Sequence, residues 1–278
     1  EDVVGLSIVH PTWARTKPQY DWDRHCGWIF TSPGDEPRKS TEGFGSFDSE
    51  GVIPDTVNGV GTIRELYELA GSKSHGVAFS VPILWDKKLN TIVNNESSEI
   101  IQIFNSEFNE FAKNPDLNLA PEDLKESMKA VDEWIYSDIN NGVYRCGFSR
   151  TQEAYEEAFD VLFDSLDKLE ELLGRSRYVA GDKLTLSDIR AWVTLTRFDE
   201  VYTVYFKTNK RHIVSYPNIL NFCREIYQVP GVADTLNMKH IKTHYYTSHA
   251  KLNHFAIIPK GANFEGELSK PHDRNRFQ

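Results

Sequence analysis

Two short segments of this chain carry residue types and spacings that could do chemistry. Ser80-Val81-Pro82-Ile83-Leu84-Trp85-Asp86 reads as a turn into a strand. The residue before a proline is pushed into an extended conformation, and X-Pro is the one peptide bond that tolerates cis at little cost. A cis bond would turn the N–H and C=O of Val81 outward, where a peptide ligand could pair with both as a short added strand. A trans proline at an ordinary strand start explains the same letters. Further on, Glu96-Ser97 opens a helix. Helix N-termini present free N–H groups and a partial positive charge, which suit a carboxylate. Ser97 could bond that carboxylate and Glu96 an ammonium on the same ligand, although a capping serine with acidic first-turn residues reads nearly as well.

Other candidates are weaker. His240 and His244 lie four apart, which would put two rings on one helical face and could suit a metal. No third ligand accompanies them, so no metal is expected. Cys26 stands beside His25, but adjacency does not make a nucleophilic pair, and no helix N-terminus is there to lower the thiol pKa. Cys26, Cys146 and Cys223 form no Cys-x-x-Cys, which leaves neither a zinc cage nor a dithiol redox centre. Few unpaired thiols in a large chain fit a reducing compartment, and cytoplasm is the expected location.

The elements that must position these residues fall in two halves, an α/β half and an all-α half. Residues 3–9 read as a strand stopping at Pro11. A Gly-, Pro- and Ser-rich loop insertion covers about residues 16–61, and loops of that length inside domains are usually functional or mobile. A short helix follows with Ile63, Leu66, Tyr67 and Ala70 on one face. Residues 81–85 and 91–94 pair as a hairpin. A helix from Ser97 to Ala112 carries Ile100, Ile101, Phe104, Phe108 and Phe111. After Asn114-Pro115-Asp116 the patterning is helical throughout, with one stripe from Leu124 to Ile135 and another from Ala154 to Leu173 closed by Gly174. The expected division is residues 1–114 and 115–278. Thr185 and Asp188 form a capping box at the start of a helix that reads as central and buried.

Composition bounds the partners. A net charge of -10 over 278 residues argues against nucleic acid. No apolar run is long enough for a membrane helix, so no membrane partner is expected. The 6 Trp, 12 Tyr and 16 Phe could line a pocket for a flat aromatic ligand, though core packing also uses them.

Longer strings narrow the reading. They are His10-Pro11-Thr12-Trp13, His25-Cys26-Gly27-Trp28, Val81-Pro82-Ile83-Leu84-Trp85-Asp86-Lys87-Lys88, Asn95-Glu96-Ser97-Ser98-Glu99-Ile100, Asn140-Asn141-Gly142-Val143-Tyr144, Arg197-Phe198-Asp199-Glu200-Val201-Tyr202 and His240-Ile241-Lys242-Thr243-His244-Tyr245-Tyr246. Along nearly its whole length the chain resembles the glutathionyl-hydroquinone reductases, the omega-like xi class of glutathione transferases. The resemblance implies a thioredoxin-like N-terminal domain followed by a helical bundle, a homodimer, and glutathione as cosubstrate. It implies reduction of aromatic S-glutathionyl-hydroquinones to hydroquinones with release of glutathione disulfide. It places Val81 and Pro82 along the glutathione backbone, Glu96 at the γ-glutamyl ammonium, Ser97 at the γ-glutamyl carboxylate and Trp28 against the bound tripeptide. Tyr144 and Tyr245 become the phenols of the acceptor pocket, and Arg64 a weaker candidate for the glycyl carboxylate.

The family's Cys-Pro-Trp-Ala turn, with its reactive thiol, has no counterpart in these residues, nor do the strand and helix that flank it. The expectation is that the nucleophile lies upstream of Glu1. The alternative of another class is a non-catalytic binding or interaction module on the same fold.

Overall fold

The hairpin that carries the proline is set by its turn. Asp86 Oδ1 accepts from the N–H groups of Lys88 and Leu89, both at 2.8 Å, and Asn90 takes the left-handed conformation that closes the reversal. The strands on either side, β3 (Leu84–Asp86) and β4 (Thr91–Asn94), pair antiparallel, with Trp85 opposite Ile92 and a bulge between Leu84 and Trp85. This is a computed structural model that describes residues 3–71 and 78–277. Earlier in the chain β1 (Ala14–Arg15) and β2 (Cys26–Gly27) form a second antiparallel pair.

Helix α1 (Ile63–Leu69) starts where the sequence caps it. Thr62 Oγ1 accepts from the Glu65 N–H at 3.1 Å while Glu65 Oε2 accepts from the Thr62 N–H at 2.9 Å, so two orphan donors are satisfied reciprocally. Ile63, Leu66 and Tyr67 are the buried face. Helix α2 (Ser97–Ser106) follows β4.

Two expectations need correction here. Residues 3–9 do not form a strand; Ile8 makes only an isolated bridge to Ile53. Helix α2 ends at Ser106 rather than Ala112, with Glu107 closing it onto the Ile103 carbonyl. Asn105, Ser106 and Asn109 are weak helix formers. Phe111, 67% exposed, gains no burial that would extend the helix.

The chain divides into two compact units. The first comprises Glu1–Leu117 with Thr243–Ile258, the second Asn118–Lys242 with Pro259–Gln278. In the second unit α3 (Lys125–Trp134), α4 (Gly142–Gly147), α5 (Gln152–Arg175), α6 (Leu186–Arg197), the short α7 (Thr203–Tyr205) and α8 (Pro217–Tyr227) surround the core. Leu162, Leu166 and Leu169 of α5 are fully buried, each stabilising the unit by about 1.5–3 kcal/mol. Gly174 sits inside the last turn of α5, which runs on to Arg175. The carbonyls there are capped by the buried Arg274, which donates to Leu173 O at 2.7 Å and Ser176 O at 2.6 Å. Single π-turns at Ile135–Asn140 and Phe198–Tyr202 interrupt the helical run. Helix α9 (Met238–Ser248) and α10 (Phe264–Leu268) follow. No helix among the described residues is long and apolar enough to cross a membrane.

The capping box at Thr185 is formed as the sequence predicts. Asp188 Oδ2 accepts from Thr185 N at 2.8 Å and Thr185 Oγ1 at 2.7 Å. Its Oδ1 accepts from Val179 N at 2.8 Å. Asp188 is fully buried, and burial pushes its carboxyl up to about 6 against the opposing pull of those donors.

Candidate functional site

The Val81–Pro82 bond is cis. Val81 is half-buried and Pro82 exposed, at the entrance to β3. Tyr67 Oη donates to the Ser80 carbonyl at 3.1 Å, and Asn95 Nδ2 donates to Tyr67 Oη at 2.9 Å. The segment before the proline is therefore tied to both α1 and the turn before α2. At that turn Asn94 Oδ1 accepts from the Glu96 N–H at 2.7 Å.

At the opening of α2 the cap is Glu96, whose carboxylate accepts from Ser98 N at 3.5 Å and from Ser98 Oγ at 3.3 Å. Ser97 is the first helical residue and is exposed. The reading of Ser97 as an ordinary capping serine is thus not the one the helix uses. Its hydroxyl stands at the positive end of the helix, where a carboxylate is favoured.

Arg64 is neither solvated nor available for a ligand carboxylate. It is buried, with Nη1 2.6 Å from Asp23 Oδ2 and Nε 3.2 Å from Glu68 Oε1. The periodicity that placed it on a short helix gave no sign of Asp23, which approaches from the long loop.

Trp28 is half-buried and takes part in a ring cluster drawn from both ends of the chain. Its indole stacks on the His244 imidazole, with centroids 4.3 Å apart and planes at 26°. Trp13 meets Trp28 edge-on at 5.8 Å, His244 at 5.5 Å and His249 at 5.1 Å. Tyr245 is buried on α9 beside His244, with centroids 5.5 Å apart. Trp28 is also fixed through its backbone, since its carbonyl accepts from the Ile63 N–H at 3.1 Å at the start of α1. No local pattern signalled His244 as a neighbour of Trp28, or His249 as a neighbour of Trp13. Their contacts span more than two hundred residues of sequence.

Tyr144 lies in the second unit, on α4, and is 39% exposed. Its ring is parallel to Phe148 at 6.3 Å and rests against Tyr202 at 6.0 Å and Phe206 at 5.4 Å. A cavity of about 600 Å³ is lined there by Tyr144, Arg145, Phe148, Glu157 and Val161. Gly147 admits the Phe206 ring, since a Cβ at that position would lie 2.0 Å from it. Tyr144 and Tyr245 thus belong to different units.

None of the three thiols is set up as a nucleophile. Burial raises the pKa of Cys26 despite the nearby Arg15. Burial pushes Cys146 up to about 11 and drives Cys223 higher still. The His25 ring nitrogen pairs with Thr16 Oγ1 at 2.9 Å, while Cys26 Sγ points to the Arg24 carbonyl. His244 Nδ1, the other half of the His240–His244 pair, lies 3.0 Å from the Pro11 carbonyl.

Known proteins match this arrangement over most of its length. Residues 152–225 match the glutathione S-transferase C-terminal domain. A glutathionyl-hydroquinone reductase of Escherichia coli K12 is 44% identical over 226 residues, 81% of this chain and 67% of the relative. One from Sphingobium chlorophenolicum is 42% identical over 235 residues, 84% of this chain and 69% of that protein. The xi-class glutathione transferase of Natrialba magadii superposes with a TM-score of 0.86 at 38% identity, covering 99% of this chain and 76% of that one. With two such relatives covered over two thirds of their length, and the glutathione transferase fold in both halves, the chain belongs to the glutathionyl-hydroquinone reductases, the xi class of the glutathione transferases.

Proposed function

We propose that this protein is a glutathione-dependent oxidoreductase that reduces S-glutathionyl-hydroquinones to hydroquinones with release of glutathione disulfide. The observation that carries the reading is the opening of α2. Glu96 does the capping there, which leaves the Ser97 hydroxyl exposed at the positive end of a helix. Glutathione lies along Val81 and Pro82, its γ-glutamyl carboxylate on Ser97, its ammonium facing Glu96 and its body against Trp28. The carboxylate gains both the helix N–H groups and a hydroxyl donor, and charge-assisted bonds of this kind are the strong ones.

In the overall exchange the carbon–sulfur bond of the thioether breaks, its sulfur bonds to that of a second glutathione thiol, and the ring carbon takes up the proton that thiol gives up. The electrons of the breaking bond flow into the ring and onto its oxygens. Tyr144 and Tyr245 are each a phenol of the kind that can donate to such an oxygen while sulfur is displaced. The attack itself needs a thiolate. Burial raises the pKa values of Cys26, Cys146 and Cys223, which disfavours the thiolate at each. The work assigned to these residues is therefore binding, orientation and proton donation.

Residues 1–114 carry the glutathione half and residues 115–278 the helical half, with Thr243–Ile258 folded into the first compact unit. A homodimer acting in the cytoplasm completes the reading. Titration calorimetry with glutathione tests it: one molecule bound per chain is expected, and no heat of association overturns the assignment. Turnover of a glutathionyl-hydroquinone by these residues that is abolished by Cys26→Ser would reassign the nucleophile.

A further inference from the structure

The mechanism above uses Trp28 and Tyr245 but not the side chain that lies between them. His244 touches both. Its ring stacks on Trp28 at 4.3 Å and meets Tyr245 at 5.5 Å, with Trp13 edge-on at 5.5 Å. The ring's own orientation is fixed from the other side. Nδ1 lies 3.0 Å from the Pro11 carbonyl, an oxygen that can only accept, so Nδ1 carries a proton and donates it there. Ser248 Oγ, one turn along α9, closes the arrangement. It lies 3.2 Å from Nδ1, accepts from the Trp13 N–H at 3.1 Å, and donates to Pro11 O at 3.2 Å. A ring pinned at one nitrogen can present one fixed face, and that face is the one Trp28 covers.

We infer that His244 is a positioning residue, holding Trp28 and Tyr245 in fixed orientation through a ring anchored to the Pro11 carbonyl. The inference rests on the reading that places glutathione against Trp28. It adds a residue that acts through two groups assigned to the reactants, Trp28 and Tyr245. The arrangement joins the segment from Pro11 to Trp28 and the last turns of α9 through α9 side chains that bond the Pro11–Trp13 backbone and stack on Trp28. Loss of the ring would release both aromatic groups at once.

The test uses two readouts. Trp28 emission, isolated as the difference between the protein and its Trp28→Phe variant, is expected to shift to the red and become easier to quench with acrylamide in His244→Ala. Glutathione affinity, by calorimetry, is expected to weaken roughly 2- to 12-fold in the same variant, the range that loss of one aromatic pair corresponds to. In a double variant with Trp28→Ala the two losses should not add, because both act through the same indole. His244→Phe keeps a stacking ring and should recover part of the Trp28 emission, whereas His244→Asn keeps only a donor toward Pro11 and should recover none. Recovery by Asn and not by Phe would reduce His244 to a backbone strut and overturn the inference, as would unchanged emission in a folded His244→Ala protein. If the unaltered protein gives no heat with glutathione, the functional reading fails instead, and the emission series still decides the role of His244.

Discussion

The two units achieve order by different means. In the second, Leu162, Leu166 and Leu169 of the 24-residue α5 bury a continuous apolar stripe along one long helix. In the first, the strands are only two to four residues long. Its loop is held by scattered backbone bonds, such as His10 N to Ile29 O and Phe30 N to Gly61 O, and by side chains: the ring cluster of Trp13, Trp28, His244 and His249, and the ion pair of Arg64 with Asp23. Most of the groups assigned to glutathione lie in this second kind of structure. Irregular backbone lets Trp28 and the Val81–Pro82 segment face outward, and the cost is that single side chains must do what a helix does elsewhere. Perturbing a polar side chain should therefore damage the two units for different reasons.

The largest effect is expected at a buried, fully bonded polar group of the helical unit, Asp188. Asp188→Ala leaves the buried N–H groups of Val179 and Thr185 without acceptors and removes half of a capping box. Urea denaturation should report a loss of about 3–5 kcal/mol. A loss under 1 kcal/mol would mean that the apolar stripe organises α6 unaided. In the first unit, Arg64→Met strands the Asp23 carboxylate in a nearly buried site and should cost about 2–3 kcal/mol. Pairing it with Asp23→Asn should recover part of that loss, since no uncompensated charge then remains. If the double variant is no better than the single, the packing of the Arg64 stem rather than the ion pair holds the loop.

The same contrast decides what could be read from the residues alone. The capped helix at Thr185, the α5 stripe and the hairpin were legible because each is written in residues a few positions apart. The cis Val81–Pro82 bond was among the alternatives the letters allowed. The ring cluster was not legible, because stacking between Trp28 and His244 leaves no periodic trace. Arg64 misled for the same reason: a helix position says nothing of a partner 41 residues away. Phe108 and Phe111 misled in the opposite direction. Helical spacing persists past Ser106, but burial does not, and α2 stops. Thr243–Ile258 carries no signal that it packs with the first unit rather than with its sequence neighbours.

Titration should separate the units by sign. In the helical unit the Asp188 carboxyl is raised from 3.8 to about 6 by burial. Between those values the folded state holds a proton that the unfolded chain releases, so this contribution falls as pH rises from about 4 to 6 and is flat above. It amounts to about 1–3 kcal/mol. In the first unit His10, His25 and His249 are all held below 6.5 chiefly by burial. There the unfolded chain binds the extra protons, so stability falls as pH drops through 6.5. Hydrogen exchange corrected for intrinsic rates should show protection in α6 and in the β1–β2 pair changing in opposite directions between pH 6.5 and 4. Asp188→Asn should abolish the slope in α6 only. Parallel slopes in both units would show that they unfold as one and that the contrast is not thermodynamic.

The smallest effect is the most diagnostic for the site. Because Glu96 caps α2 and Ser97 does not, Ser97→Ala should change stability by no more than about 0.5 kcal/mol. Its effect on glutathione is expected to be larger than its effect on folding. Losing one donor to a charged carboxylate should raise the dissociation constant about 10-fold, equivalent to about 1.4 kcal/mol. Glu96→Ala should destabilise α2 by about 0.5–1 kcal/mol through loss of the cap, in addition to weakening the ammonium contact. Calorimetry and urea denaturation on both variants therefore give a crossed pattern, with binding lost without folding at one position and both lost at the next. Should Ser97→Ala instead destabilise the helix while glutathione binds unchanged, the hydroxyl serves the fold and the γ-glutamyl carboxylate must be held elsewhere. The site would then owe its affinity to the backbone along Val81, and the side chains at the helix opening would be scaffolding like the rest of the loop.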